Sequence, residues 1–130
     1  MSRRLGRTKI LGEVEVYQGR DHTLRVTIKT DVGDITGAKL WFAVKESADV
    51  DDAQAAILKR SANAGGSDAE AKVVDGQNRV VEFYISRDDT PGMTEGDYIA
   101  DAAIELPTGK RLQLLQPLRF VVIQPVVRTF

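Results

Sequence analysis

Between Gly96 and Val122 the chain reads GDYIADAAIELPTGKRLQLLQPLRFVV. Tyr98, Ala100, Ala102, Ile104 and Leu106 fall on one side of an extended backbone, and Asp101 and Glu105 on the other. Successive side chains of a strand point to opposite faces, so this nearly unbroken period of two predicts a half-buried strand. Pro107-Thr108-Gly109-Lys110 predicts a reversal, because Pro presets an early turn position and Gly accepts a left-handed one. Arg111 to Gln116 returns with Leu112 and Leu114 inward. Pro117 has no backbone donor and predicts an edge, a bulge or a strand change. Leu118, Phe120 and Val122 then resume the alternation. Phe83, Tyr98 and Phe120 are the expected inward-facing aromatics.

The same pattern recurs upstream. Val14 and Val16 alternate with Glu13 and Glu15. From His22 to Lys29, Leu24, Val26 and Ile28 point one way and Thr23, Arg25 and Thr27 the other. Asp31 to Ala38 is turn-rich, with Ile35 expected at the end of the core. Lys39 to Glu46 predicts a strand with Leu40, Phe42 and Val44 inward. This leaves Trp41 on the less apolar face, either packed under a loop or serving as an interface anchor, a role in which Trp is enriched. The run Ala53 to Arg60 favours helix by propensity, whereas its shortness and its place between strands favour an edge strand with Ile57 inward. Ser61 to Glu70 is a Gly- and Ser-rich loop. Asp75-Gly76 between apolar runs predicts a hairpin with Gly76 left-handed, as at Gly109. Ser86 or Asp88 is placed to cap one helical turn before Pro91. The sum is roughly seven to nine short strands with turns about ten residues apart, which predicts one all-β domain, an antiparallel sandwich, with a small closed barrel as the alternative.

Composition narrows the function. A chain of 130 residues without cysteine has no thiol nucleophile and no disulfide, and at this length it needs none. A formal net charge of -1 argues against a nucleic-acid-coating surface. No apolar run approaches the roughly 18 residues of a membrane span, and the basic N-terminus lacks the apolar core of a signal peptide. His22 stands alone, the serines lack a nucleophile-elbow pattern, and Asp49, Asp51 and Asp52 lack the spacing, central Gly and terminal Glu of a calcium loop. The adjacent pair Asp88-Asp89 suits capping and turn formation. These observations predict no enzyme, no catalytic residue, no metal site and no cofactor, with a small-molecule ligand disfavoured.

Several segments in order resemble an immunoglobulin-like domain of tailed-phage virion proteins, that of the N-terminal domain of baseplate upper proteins and of small tail accessory proteins. The residues that carry the resemblance are Gly19-Arg20-Asp21-His22-Thr23-Leu24, Asp34 to Lys45, Ala56-Ile57-Leu58-Lys59, Val80-Val81-Glu82-Phe83, Asp88-Asp89-Thr90, Gly96-Asp97-Tyr98 with Ala100 to Leu106, and Phe120-Val121-Val122 through Thr129. The resemblance spans about residues 12–129. It implies an antiparallel immunoglobulin-like β-sandwich and a structural role in a virion, assembled in the host bacterial cytoplasm. The implied partners are other virion proteins and symmetry copies of the chain. It carries over no active site. The larger baseplate proteins continue into receptor-directed segments, whereas this sequence stops at Phe130, so an adaptor or accessory role in tail or baseplate is expected. A neck or capsid-surface position is the alternative, and a carbohydrate- or cell-surface-binding module using Trp41, Tyr17 and Tyr84 is the competing class.

The expected organisation is a basic arm over residues 1–9, a sandwich over 10–125 and a tail over 126–130. Arg3, Arg4 and Arg7 of the arm are either a solvated terminus or contacts to a neighbouring subunit. Val126, Val127 and Phe130 of the tail either return to their own domain or reach across. With Trp41, these are the candidate interface residues.

Overall fold

A computed structural model describes residues 12–127, so Arg3, Arg4, Arg7 and Phe130 lie outside the described residues. Eight strands follow in order: β1 (Glu13–Tyr17), β2 (His22–Thr27), β3 (Lys39–Lys45), β4 (Ile57–Arg60), β5 (Ala71–Asp75), β6 (Val80–Ile85), β7 (Gly96–Glu105) and β8 (Arg111–Ile123). They form a five-stranded sheet ordered β1-β8-β7-β3-β4 and a three-stranded sheet ordered β2-β6-β5. All pairings are antiparallel except β1 with β8, which is parallel. A three-stranded sheet facing a sheet that carries the last two strands beside the third is the immunoglobulin-like arrangement. The all-β sandwich expected from the alternation is the fold observed.

The core is built from the inward half of each alternating run. Leu40, Phe42 and Val44 of β3, Val81, Phe83 and Ile85 of β6, Ala100, Ala102 and Ile104 of β7, and Phe120 and Val122 of β8 are buried. Phe42 is the hub: its ring centroid lies 5.2 Å from that of Phe83 in the facing sheet and 6.3 Å from that of Phe120. Where antibody domains place a disulfide and a Trp between their sheets, this chain stacks three phenylalanines. Tyr98 is half-buried near the start of β7, and its hydroxyl donates to the Thr94 carbonyl at 2.8 Å. This is the tyrosine corner of such sandwiches, with Ala100 in the position that a cysteine takes in antibody domains.

Polar contacts gather at the β6–β7 connection. Buried Thr90, in the β6–β7 connection, accepts a bond from Gly19 N at 2.9 Å, and Gln18 Nε2 donates to the Met93 carbonyl at 2.7 Å. Lys59 of β4 points inward, 8% exposed, and its Nζ meets Asp89 Oδ2 at 2.7 Å. Asp89 Oδ2 also accepts from Ser86 N at 2.7 Å, so Asp89 serves both as a turn residue and as the counter-ion of a buried lysine.

Local expectations divide. The run ending at Arg60 is an edge strand with Ile57 buried, preceded by a single 3-10 turn at Asp52–Gln54. Pro117 does not change sheets. It lies within continuous β8 where Ala100 faces Leu118 and Ala102 faces Leu115, so the extra residues bulge and Pro117 owes the ladder no donor. Gly109 has φ 91° as expected, but Gly76 does not take a left-handed conformation. That role falls to Arg79, with φ 59°. Gly76 is needed for another reason: a Cβ there would lie 2.0 Å from Thr36 Oγ1 and 2.8 Å from Thr36 N. The Asp34–Thr36 loop presses on it, and Ile35 N donates to the Gly76 carbonyl at 3.0 Å.

Candidate interaction face

The outward half of the five-stranded sheet forms a surface of its own. On β3 the outward residues are Lys39, Trp41, Ala43 and Lys45, as the alternation predicts. The register sets Trp41 between Arg60 of β4 and Ala103 of β7, and Ala43 between Leu58 and Asp101. Trp41, Ala43, Leu58 and Ala103 are all partly exposed. They line a shallow hollow together with Asp52, Asp101 and Arg111. A second hollow, sharing Ala43 and Asp101, continues past Lys45 and Ile99 to Pro117. The two make one trough across the middle of the sheet, mostly apolar at its floor, with Asp101 where they meet.

Charged residues close both ends of the trough. At one end Lys39, Glu105 and Arg111 stand side by side on neighbouring strands. Glu105 Oε1 lies 3.4 Å from Lys39 Nζ, and Arg111 Nε donates to Glu105 Oε2 at 2.7 Å. The bond from Arg111, with Lys39 in support, holds the Glu105 carboxyl below its ordinary range. At the other end Arg119 Nη1 lies 3.6 Å from Glu13 Oε1 and Arg119 Nε lies 3.7 Å from Asp97 Oδ2. Lys45 pairs with Asp52 at 2.6 Å, and Gln113 Nε2 donates to Asp101 Oδ2 at 2.9 Å. An apolar floor with a polar rim is the anatomy of a protein interface.

The opposite outer face differs. On the three-stranded sheet the outward side chains include Thr23 and Arg25 of β2, Glu82 and Tyr84 of β6, and Lys72 of β5. Arg25 pairs with Glu82 at 3.1 Å, and the Tyr84 hydroxyl donates to Glu82 at 2.7 Å. Burial, followed by that bond to Glu82, pushes the Tyr84 phenol up. This face is solvated across its middle.

Of the residues singled out in the sequence, Trp41 lines the first hollow of the trough. Val126 is 97% exposed and Val127 59%, so neither side chain returns to the domain, although the Val127 carbonyl accepts a bond from Arg20 Nη2. Tyr17 is exposed at the β1 end of the same sheet face, whereas Tyr84 belongs to the other sheet, so the three aromatics do not converge. His22 Nε2 accepts from Tyr17 N at 3.1 Å, a local turn contact. Among the described residues no group of three or more His, Asp or Glu is placed to hold a metal ion. The trough residues missed in the sequence are Ala43, Leu58, Ala103 and Ile99. Their signal was present as small or apolar residues on the outward side of alternating strands.

No protein-family model and no curated protein matches the chain. Among solved structures it is similar to murine CRIg, at 15% identity and a TM-score of 0.44, over 88% of this chain and 95% of that one. It is also similar to the extracellular domain of the voltage-gated sodium channel β4 subunit, at 13% identity and a TM-score of 0.40, over 92% of this chain and 98% of that one. Neither likeness bears on what this chain binds.

Proposed function

We propose that this chain is a non-catalytic binding domain that serves as a structural part of a tailed-phage virion, an adaptor or accessory protein of the tail or baseplate. The outer face of the five-stranded sheet is its contact surface. One observation carries the binding role: of the two outer faces, one has a mostly apolar trough framed by charges and the other carries Thr23, Arg25, Lys72 and Glu82 across its middle. Exposed apolar area of this kind marks interaction sites. The virion setting is supported by the resemblance of the segments from Gly19 to Thr129 to phage immunoglobulin-like domains. Electron microscopy of particles lacking the gene, complemented with wild type or with Ala43→Arg, tests both parts. Incomplete tails rescued only by wild type are expected. Normal, complete tails without the gene would overturn the virion role, and full rescue by Ala43→Arg would overturn the assigned face. Labelled protein in the same particles separates tail and baseplate from neck or capsid surface.

A second reading has its own observation. Trp41 with Asp52, Asp101 and Arg111 around a hollow supplies an aromatic plane and polar groups, the elements of a sugar site. Glycan binding that is lost in Trp41→Ala would favour it; an empty glycan array at high protein concentration would remove it.

A further inference from the structure

The charges at the two ends of the trough are opposite in their remainder. At one end a single carboxylate, Glu105, is shared by two cations, Lys39 and Arg111. At the other a single cation, Arg119, is shared by two carboxylates, Glu13 and Asp97. Each end is left with one uncompensated charge, positive at the first and negative at the second. Arg60, next to Trp41, adds to the positive end, and Glu15, next to Glu13 on the same side of β1, adds to the negative end. Between them the floor carries Trp41, Ala43, Leu58 and Ala103, and the Asp101 carboxylate in its middle row is engaged by Gln113 at 2.9 Å.

A surface that is mostly apolar in the middle, with Asp101 held by Gln113, and dipolar along its strands matches its end charges to those of a copy under only one kind of two-fold rotation. An isologous pair places the same patch on both copies. If the axis runs along the strands, positive end meets positive end. If it lies in the interface and runs across the strands, each positive end meets the partner's negative end. We infer that a second copy of this chain docks on this face, its strands running antiparallel to those of the first. The Arg111 end of each copy then covers the Glu13–Asp97 end of the other. The inference rests on the proposed contact face and names its partner. Five strands about 4.8 Å apart and about 3.4 Å per residue give a face roughly 20 by 25 Å, about 1,000 Å² over both copies, in the size class of weak, transient interfaces. The pairing is therefore concentration-dependent, and its charge component weakens as salt rises.

Sedimentation velocity on the full chain, from about 1 μM to about 1 mM, is the test. A monomer–dimer equilibrium is expected, weakened at least about tenfold by Ala103→Arg or Ala43→Arg with unchanged thermal melts. Arg111→Glu alone, and Glu13→Lys with Asp97→Lys, should each weaken self-association, and an equimolar mixture of the two should restore it. A wild-type monomer throughout overturns the inference. So does a dimer indifferent to both arginine variants, and so does a mixture that gains nothing. Because virion incorporation is scored separately, a monomer whose Ala43→Arg variant still fails to rescue tails would retain the proposed face with a different partner.

Discussion

Replacing Gly76 by alanine isolates a constraint that backbone conformation does not impose. The added Cβ would lie 2.0 Å from Thr36 Oγ1, 2.6 Å from Asp34 Oδ1 and 2.8 Å from Thr36 N. The hydroxyl can rotate away, but the backbone nitrogen cannot, so the Asp34–Thr36 loop must move by about 1 Å to restore contact distance. Ile35, fully buried, sits on that loop and is bonded to the Gly76 carbonyl. Overpacking of this kind costs about 1–3 kcal/mol, and loss of the Ile35 bond adds about 1 kcal/mol. The expected total is about 2–4 kcal/mol. Gly109 is the control: its φ is 91° but nothing lies within 4 Å of the added Cβ. Alanine there should cost only the left-handed backbone, about 1 kcal/mol. Urea denaturation of both variants, compared at a common m-value, gives the ranking. Thr36→Ala in the Gly76→Ala background should recover part of the loss but not all, because Thr36 N remains. A Gly76→Ala cost no larger than that of Gly109→Ala would refute the reasoning.

Other contacts give sharp outcomes. Asp89→Ala leaves the buried Lys59 ammonium without its partner and should cost about 3 kcal/mol, more than Lys59→Met, which removes the charge as well; equal losses in denaturant melts would contradict this. Tyr98→Phe keeps the ring and removes the bond to Thr94, and should cost about 1 kcal/mol in the same assay. In an alkaline ultraviolet titration one of the three tyrosines should ionise late, and Tyr84→Phe should remove that phase. Because the folded Tyr84 pKa is raised, its stabilising contribution is complete below the unfolded phenol pKa and is lost as pH rises through the folded value. A Tyr84→Phe protein with the same alkaline stability profile as wild type would contradict that link.

Alternation made the strands legible because each one has a wet face and a dry face, and the burial of Leu40, Phe42, Val44, Phe83 and Phe120 follows from it. Trp41 was legible as outward for the same reason. Pairing was not: nothing in the spacing of Val14 and Val16 says that β1 lies parallel to β8 rather than against its neighbour β2, since that choice is made by contacts distant in sequence. Gly76 misled because Asp-Gly is read through turn preference, while the constraint there comes from a loop some forty residues earlier, far beyond the reach of turn rules. The burial of Lys59 was not read from the sequence. On an alternating edge strand it belongs to the inward set, and only the facing turn reveals the carboxylate that permits this. The ends of the trough were invisible for a similar reason, because the shared carboxylate and the shared cation each draw on strands that meet only in the sheet.

The placement of β8 bears on how the protein is made on a ribosome. Strand β8 is the last of the eight to be synthesised, yet it lies inside the larger sheet, between β1 and β7. Until it emerges, β1 has no ladder partner and the inward side of β7 lacks Leu118, Phe120 and Val122 beside it. The three-stranded sheet can pair as soon as β6 appears, but the larger sheet cannot close before residues through Ile123 are free of the exit channel. Closure of the larger sheet therefore waits on β8 and is dominated by distant pairings, a class that folds slowly. During the interval β1 is an unpaired strand that nascent neighbours on the same messenger can capture.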